Sequence, residues 1–238
     1  MTDTPNAQAS TADFEFAALW EARNYRKAIV KEFSRWLRGH VLEVGCGIGQ
    51  MSREFLNHPP VERITCIEPD DGFVREHAIA VPEATLIHGT AADLPADCNA
   101  DCIISINVLE HIERDETEMA RYTSPLKKHA GRLCVLVPAR PEIYAPLDKD
   151  FGHFRRYTKA ELRGKLERAG FVVEHLHYFN FIGYFAWWFS FKLRGQRSFG
   201  ITQVRMFDRL IFPVANGLER CLIRPPVGQS LIAVAYPR

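Results

Sequence analysis

Five short apolar runs recur through the first 140 residues: HVLEV (40–44), RITCIE (63–68), ATLIHG (84–89), DCIISIN (101–107) and GRLCVLVP (131–138). Each is rich in Val, Ile and Leu and nearly continuous in hydrophobicity, as a strand covered on both faces must be. Helix-compatible stretches at 49–57, 70–79 and 115–129 separate them. The alternation predicts right-handed βαβ units around a parallel sheet. A chain of 238 residues has room for one large domain of this kind or two small ones.

Segments outside the alternation have their own patterns. Residues 14–37 place Phe16, Leu19, Trp20, Ile29, Phe33 and Trp36 at roughly helical spacing, which predicts one or two amphipathic helices ahead of the sheet. Residues 1–12 lack the basic and apolar blocks of a secretory signal and are expected to form a disordered tail. Thr158 with Glu161 reads as a helix start and Gly170 as its stop, before strands at 171–178 and 230–237. The long connection between those strands is too long for a structureless loop and should hold helices of its own. The expected organisation is one domain over 13–238, with a substrate loop at 139–157 and a helical aromatic and basic insert at 178–228.

A net charge of +1 hides an asymmetry: residues 1–150 carry 16 Lys/Arg against 24 Asp/Glu, and residues 151–238 carry 14 against 5. The basic back half suits an anionic partner. None of the six cysteines forms a C-x-x-C pair, so neither a zinc ribbon nor a redox motif is indicated and no metal is expected. Cys66, Cys102 and Cys134 lie in apolar runs as small buried hydrophobes, and a reducing compartment is expected.

The sharpest local signal is Glu43-Val44-Gly45-Cys46-Gly47-Ile48-Gly49, after the first strand and before a helix. Glycines there let the backbone turn sharply and approach a ligand at the carboxyl end of the sheet. The pattern is G-x-G-x-G, with Gln50 where a pyrophosphate-binding dinucleotide fold places its third glycine. Glu68 ends the second strand, where a carboxylate can take both hydroxyls of a ribose. A nucleoside with a short zwitterionic arm therefore fits better than NAD.

VLEVGCGIG, CIEPD, GTAADLP and SINVLEHIERDE, in that order, resemble the motifs of the class I S-adenosylmethionine-dependent methyltransferases. VPARPEIYAPLDKDFGHFRRYTKAEL, PPVGQSLIAVA and Trp20-Glu21-Ala22-Arg23 resemble a bacterial small-molecule subgroup marked by the GHxRRY segment. The resemblance implies an α/β fold: a Rossmann-like, doubly wound sheet of mostly parallel strands with an antiparallel last strand. It implies S-adenosyl-L-methionine as cofactor. Gly45, Cys46 and Gly47 would pass backbone along its methionine part, with Glu43 near the ammonium. Glu68 would bind the ribose, Pro69 would wall the adenine, and Asp93 and the Leu94 amide would meet the adenine edge. Asn107 and Val108 would lie beside the sulfonium.

Methyl transfer from a sulfonium mainly requires alignment of the acceptor and exclusion of water; an alcohol acceptor also needs a base within reach. The segment after the fifth strand supplies the candidates: His153 as base, with Asp148 and Tyr144 beside it as catalytic residues. Arg155, Arg156 and Tyr157 are the substrate-binding candidates, the arginines gripping an anion or else pairing with Asp148 or Asp150 to lock the loop. His111 is read as a structural residue at a helix start. Residues 178–191 hold nine aromatics, too short a stretch to span a bilayer, followed by Lys192, Arg194, Arg197, Arg205 and Arg209. Such a segment is either a core helix or an interfacial one that meets anionic headgroups. The function expected is methylation of a small-molecule acceptor, lipid-linked or saccharide, by a cytoplasmic protein at the inner face of the membrane. Non-methyl chemistry on the same cofactor, or a non-catalytic binding subunit, are the alternatives. No N/D-P-P-Y/F motif follows the fourth strand, so nucleic acid is not an expected partner.

Overall fold

The computed structural model describes residues 20–127, 131–198, 200–221 and 225–238. The expected tail at 1–12, with Phe16 and Leu19 of the first helical segment, lies outside the described residues. Helix α1 (Arg23–Phe33) precedes β1 (Gly39–Val44), α2 (Gln50–Leu56), β2 (Val61–Glu68), α3 (Asp71–Ala80) and β3 (Thr85–His88). Then come β4 (Cys102–Ile106), α4 (Asp115–Arg121), α5 (Thr123–Lys127) and β5 (Arg132–Pro138). The back part holds α6 (Pro146–Asp150), α7 (Lys159–Arg168), β6 (Phe171–Phe179), α8 (Phe181–Trp187), α9 (Ile201–Met206), α10 (Phe212–Cys221) and β7 (Ser230–Pro237).

One seven-stranded sheet runs in the order β3-β2-β1-β4-β5-β7-β6. The first five strands are parallel and β7 is antiparallel to both neighbours, β5 and β6. The near-continuous apolar strands β1, β2, β4 and β5 bury both faces, whereas β3, expected to be covered likewise, lies at the sheet edge and has no buried residue. Along β5, Leu133, Val135 and Val137 face one core with Leu162 and Leu166 of α7, whereas Cys134 and Leu136 face the other with Ile29 and Phe33 of α1. Cys46, Cys66, Cys98, Cys102 and Cys134 are free thiols.

The helix expected over 115–129 is interrupted. Pro125 has no N–H to give the Arg121 carbonyl, so the chain breaks into α4 and α5. Thr158 caps α7 by accepting the Glu161 N–H at 3.2 Å, and Gly170 ends it at φ +97°. In the insert, helices α8 and α9 each run on into a π-helical turn, at Trp188–Leu193 and Phe207–Ile211. Asp208 in the second turn caps α1, accepting the N–H groups of Asn24 at 3.0 Å and Tyr25 at 2.9 Å. Arg205 grips Glu21 through two 2.9 Å contacts, so the insert is anchored to the start of the fold.

Candidate active site

Strand β1 lies between β2 and β4, so the chain leaves its carboxyl end in one direction and returns beyond β4 in the other. The crevice at such a switch point is where open α/β sheets bind ligands. A cleft of about 440 Å³ opens there, within the range of small-molecule sites.

The glycine loop forms its floor. Gly45, Gly47 and Gly49 all have positive φ, at +70°, +51° and +87°. A side chain at Gly45 would strike Val108, which stands 2.4 Å from the position of a Cβ. The amides of Gly45 and Cys46 both donate to the Ile67 carbonyl, which curls the loop over the end of β2. Asn107 carries the chain out of β4 in a left-handed conformation, φ +52°.

Two buried carboxylates set the electrostatics. Glu68 accepts the Gly47 N–H at 2.9 Å and the Asp70 N–H at 3.0 Å. Burial raises its pKa, and the two amides oppose the rise. Glu43 lies deeper and accepts the Ser52 hydroxyl at 2.5 Å. Ser52 in turn meets His77 Nε2 at 2.9 Å. Burial pushes the Glu43 carboxyl up to about 8.

Of the residues expected at the cofactor, Glu43, Gly45, Cys46, Gly47, Glu68, Pro69, Asn107 and Val108 all line this cleft. Asp93 and Leu94 do not; they lie two and three positions after the last of the lining residues Gly89, Thr90 and Ala91. The Asp93 carboxylate accepts the Thr90 N–H at 2.8 Å and the Thr90 hydroxyl at 3.0 Å, closing a helical turn. These bonds hold its pKa below the usual value.

On the far side, the chain from 139 to 157 folds around one carboxylate. Asp148, fully buried, accepts the Ala145 N–H at 2.8 Å and Arg156 Nε at 2.8 Å, and meets His153 Nδ1 at 3.1 Å. Tyr144 donates its hydroxyl to the His153 carbonyl at 2.7 Å, bracing the same turn. The arginines proposed for an acceptor anion turn inward, because each meets a buried carboxylate. Arg156 pairs with Asp148 and lies over the Trp187 ring at 4.5 Å. Arg155 pairs with Asp115 at 2.9 Å and donates to the carbonyls of Ile112 and Glu113. Tyr157 is buried and donates to Asp115 at 2.8 Å. None of Arg155, Arg156 and Tyr157 lines the cleft.

His111, read from the sequence as a structural residue at a helix start, also reaches the cleft. It sits on the turn after β4, lines the cleft with Phe151, and stacks edge-on against His153 with ring centroids 4.7 Å apart. Crowding on its inner side, then repulsion from His153, hold its imidazole well below the usual 6.5. It is therefore neutral at neutral pH. The signal was its place at the carboxyl end of a central strand, where ligands bind.

Residues 41–129 match a family model described as a methyltransferase domain. No curated protein matches the chain. Among solved structures, the YcgJ protein of Bacillus subtilis is similar at 15% identity and a TM-score of 0.59, over 89% of this chain and 99% of that one. An S-adenosylmethionine-dependent methyltransferase from Mesorhizobium loti is similar at 16% identity and 0.58, over 87% and 97%. One from Clostridium acetobutylicum is similar at 9% and 0.57, over 94% and 98%. Likeness at such identities speaks for the fold, and the family model speaks for the half of the sheet that forms the cleft. Residues 41–129 thus match a methyltransferase domain, on a fold shared with S-adenosylmethionine-dependent methyltransferases.

Proposed function

We propose that the chain methylates a lipid-linked small molecule at the surface of an anionic membrane. In this reading Gly45, Cys46 and Gly47 run beside the methionine part of the cofactor, and its ammonium faces Glu43. Glu68 takes the ribose hydroxyls, Pro69 walls the adenine, and Asp93 and Leu94 meet its edge. Asn107 and Val108 border the sulfonium. The acceptor enters on the side of His111 and Phe151, where its hydroxyl would be activated. His153 stands behind His111 and is oriented by Asp148, with Tyr144, Arg155, Arg156 and Tyr157 bracing the loop. The chemistry is an in-line displacement, so these residues act chiefly by alignment and water exclusion.

The observation that carries the acceptor class lies in the insert. Among the described residues, eleven of the fourteen exposed large apolar side chains fall within 181–218. Trp188, Phe189, Leu193, Leu210 and Val214 are all at least 43% exposed. Arg194 and Arg209 are exposed beside them. Apolar side chains next to cations suit an anionic lipid surface. The inner side of the same insert packs on the acceptor loop: Trp187 and Phe191 join Ile143, Ala145 and Leu147, and Lys192 donates to the Tyr144 carbonyl at 2.9 Å. A surface that met lipid would thus stand next to the acceptor side. No helix among the described residues is long and apolar enough to cross a membrane, so the contact would be peripheral.

The test is sedimentation with vesicles of phosphatidylcholine containing phosphatidylglycerol, joined to transfer of labelled methyl from the cofactor into a membrane extract. Salt-sensitive vesicle binding, weakened in Trp188→Ser and Phe189→Ser, and label in the organic phase are expected. Label confined to water-soluble products, with no vesicle binding, would overturn this acceptor class.

A further inference from the structure

We infer that Glu110, His111 and His153 form a site for one divalent first-row cation on the acceptor side of the cleft, where it would hold and acidify the acceptor hydroxyl; this deepens the methyl-transfer reading and rests on it. One ligand atom from each residue, two imidazole nitrogens and a carboxylate oxygen, lies within 4.8 Å of the others. Bound to one ion at about 2.0–2.2 Å, such atoms stand roughly 3–3.5 Å apart, so small side-chain rotations close the cluster.

The site is built from two elements tied together. Glu110 and His111 are adjacent on the turn Leu109–His111, and His153 follows α6. The Phe154 N–H donates to the Glu110 carbonyl at 2.8 Å, fixing one element against the other. Glu110 is fully buried and His153 nearly so. His153 Nδ1 is held by Asp148, while its Nε2 is buried with no hydrogen-bond partner. A carboxylate behind one ring nitrogen, with the other left to ligate, is the usual support of a metal-bound histidine. Asp148 is thus a positioning residue. His111 faces the cleft, so the open coordination positions are directed to where an acceptor would lie. Two histidines and a carboxylate with open positions suit Mn²⁺, Fe²⁺, Co²⁺ or Zn²⁺. His153 lies 42 positions after His111 and 43 after Glu110, which is why no ligand spacing announces the set.

The step balances without a redox partner. The acceptor oxygen binds the cation and its proton passes to water. An oxygen lone pair then forms the C–O bond to the methyl carbon as the C–S bond breaks, and sulfur keeps that electron pair as a neutral thioether.

The test is binding of Mn²⁺ to the chelator-stripped full chain, followed by electron paramagnetic resonance and calorimetry, with Zn²⁺ as competitor. One equivalent is expected, and Glu110→Gln, His111→Gln and His153→Gln should each weaken it at least about tenfold. Asp148→Asn should weaken it by about 10–100-fold through the orientation of His153. S-adenosylhomocysteine affinity, measured on His153→Gln, should stay level and certifies the fold. A stripped protein that binds S-adenosylhomocysteine but neither Mn²⁺ nor Zn²⁺ overturns the metal site, as do variants that bind as the parent does. Metal binding without any affinity for S-adenosylhomocysteine would instead overturn the methyl-transfer reading and leave the site standing.

Discussion

The Glu68 carboxylate accepts the Gly47 amide at 2.9 Å, so the end of β2 holds the glycine loop that follows β1. One buried acid thereby shapes the loop and faces the cleft. Glu68→Ala should weaken S-adenosylhomocysteine binding by about 1.5–3 kcal/mol, since it removes charge-assisted hydrogen bonds. Calorimetry at pH 7 checks this, and an unchanged affinity would remove Glu68 from the site.

Glu43 makes the empty protein sensitive to pH. Its carboxyl titrates near 8 in the fold against 4.5 ordinarily, because burial penalises the charge. Between those values the folded state holds a proton that the unfolded chain has lost, so this group's contribution to stability falls as pH rises from 4.5 to 8. Glu43→Gln should therefore melt higher than the parent at pH 8, with the difference shrinking towards pH 5. Thermal scans across that window would show the convergence, and parallel curves would contradict it.

Asp148→Ala should be among the costliest single changes. It leaves the Arg156 guanidinium, whose side chain is 2% exposed, without its carboxylate. Breaking a buried pair from one side costs about 3–5 kcal/mol. Urea denaturation measures the loss, and a loss below about 1 kcal/mol would mean that the loop relaxes to expose the arginine.

Two glycines should respond in opposite ways to alanine. Gly45→Ala adds a Cβ against Val108 at a backbone φ of +70°, and should abolish cofactor binding. Gly217 lies inside α10 with nothing within 4 Å of a Cβ. Gly217→Ala should stabilise the protein by about 0.5–1 kcal/mol. Melting curves and S-adenosylhomocysteine titrations on both variants separate local fit from general stability.

The sequence by itself determined the elements whose cause is local. Continuous apolar runs marked β1, β2, β4 and β5 because a strand buried on both faces can carry little else, while the edge strand β3 carries such a run without being buried. Thr158 and Gly170 marked α7 because caps act within a few residues, and the glycine loop with Glu68 marked the cleft because the turn needs positive φ at fixed positions. The tertiary structure decided whatever depends on partners distant in the chain. Arg155 and Arg156 read equally well as anion ligands or loop braces, since only packing brings Asp115 within 2.9 Å of one and Asp148 within 2.8 Å of the other. His111 reads as a helix-start residue, and only the fold sets its ring 4.7 Å from that of His153, 42 positions on. Asp208 could not be read as the cap of α1, because the two lie more than 180 residues apart. Local propensity and hydrophobic period are written in neighbouring residues, whereas the pairing of buried charges is fixed only when the sheet order closes the distances between them.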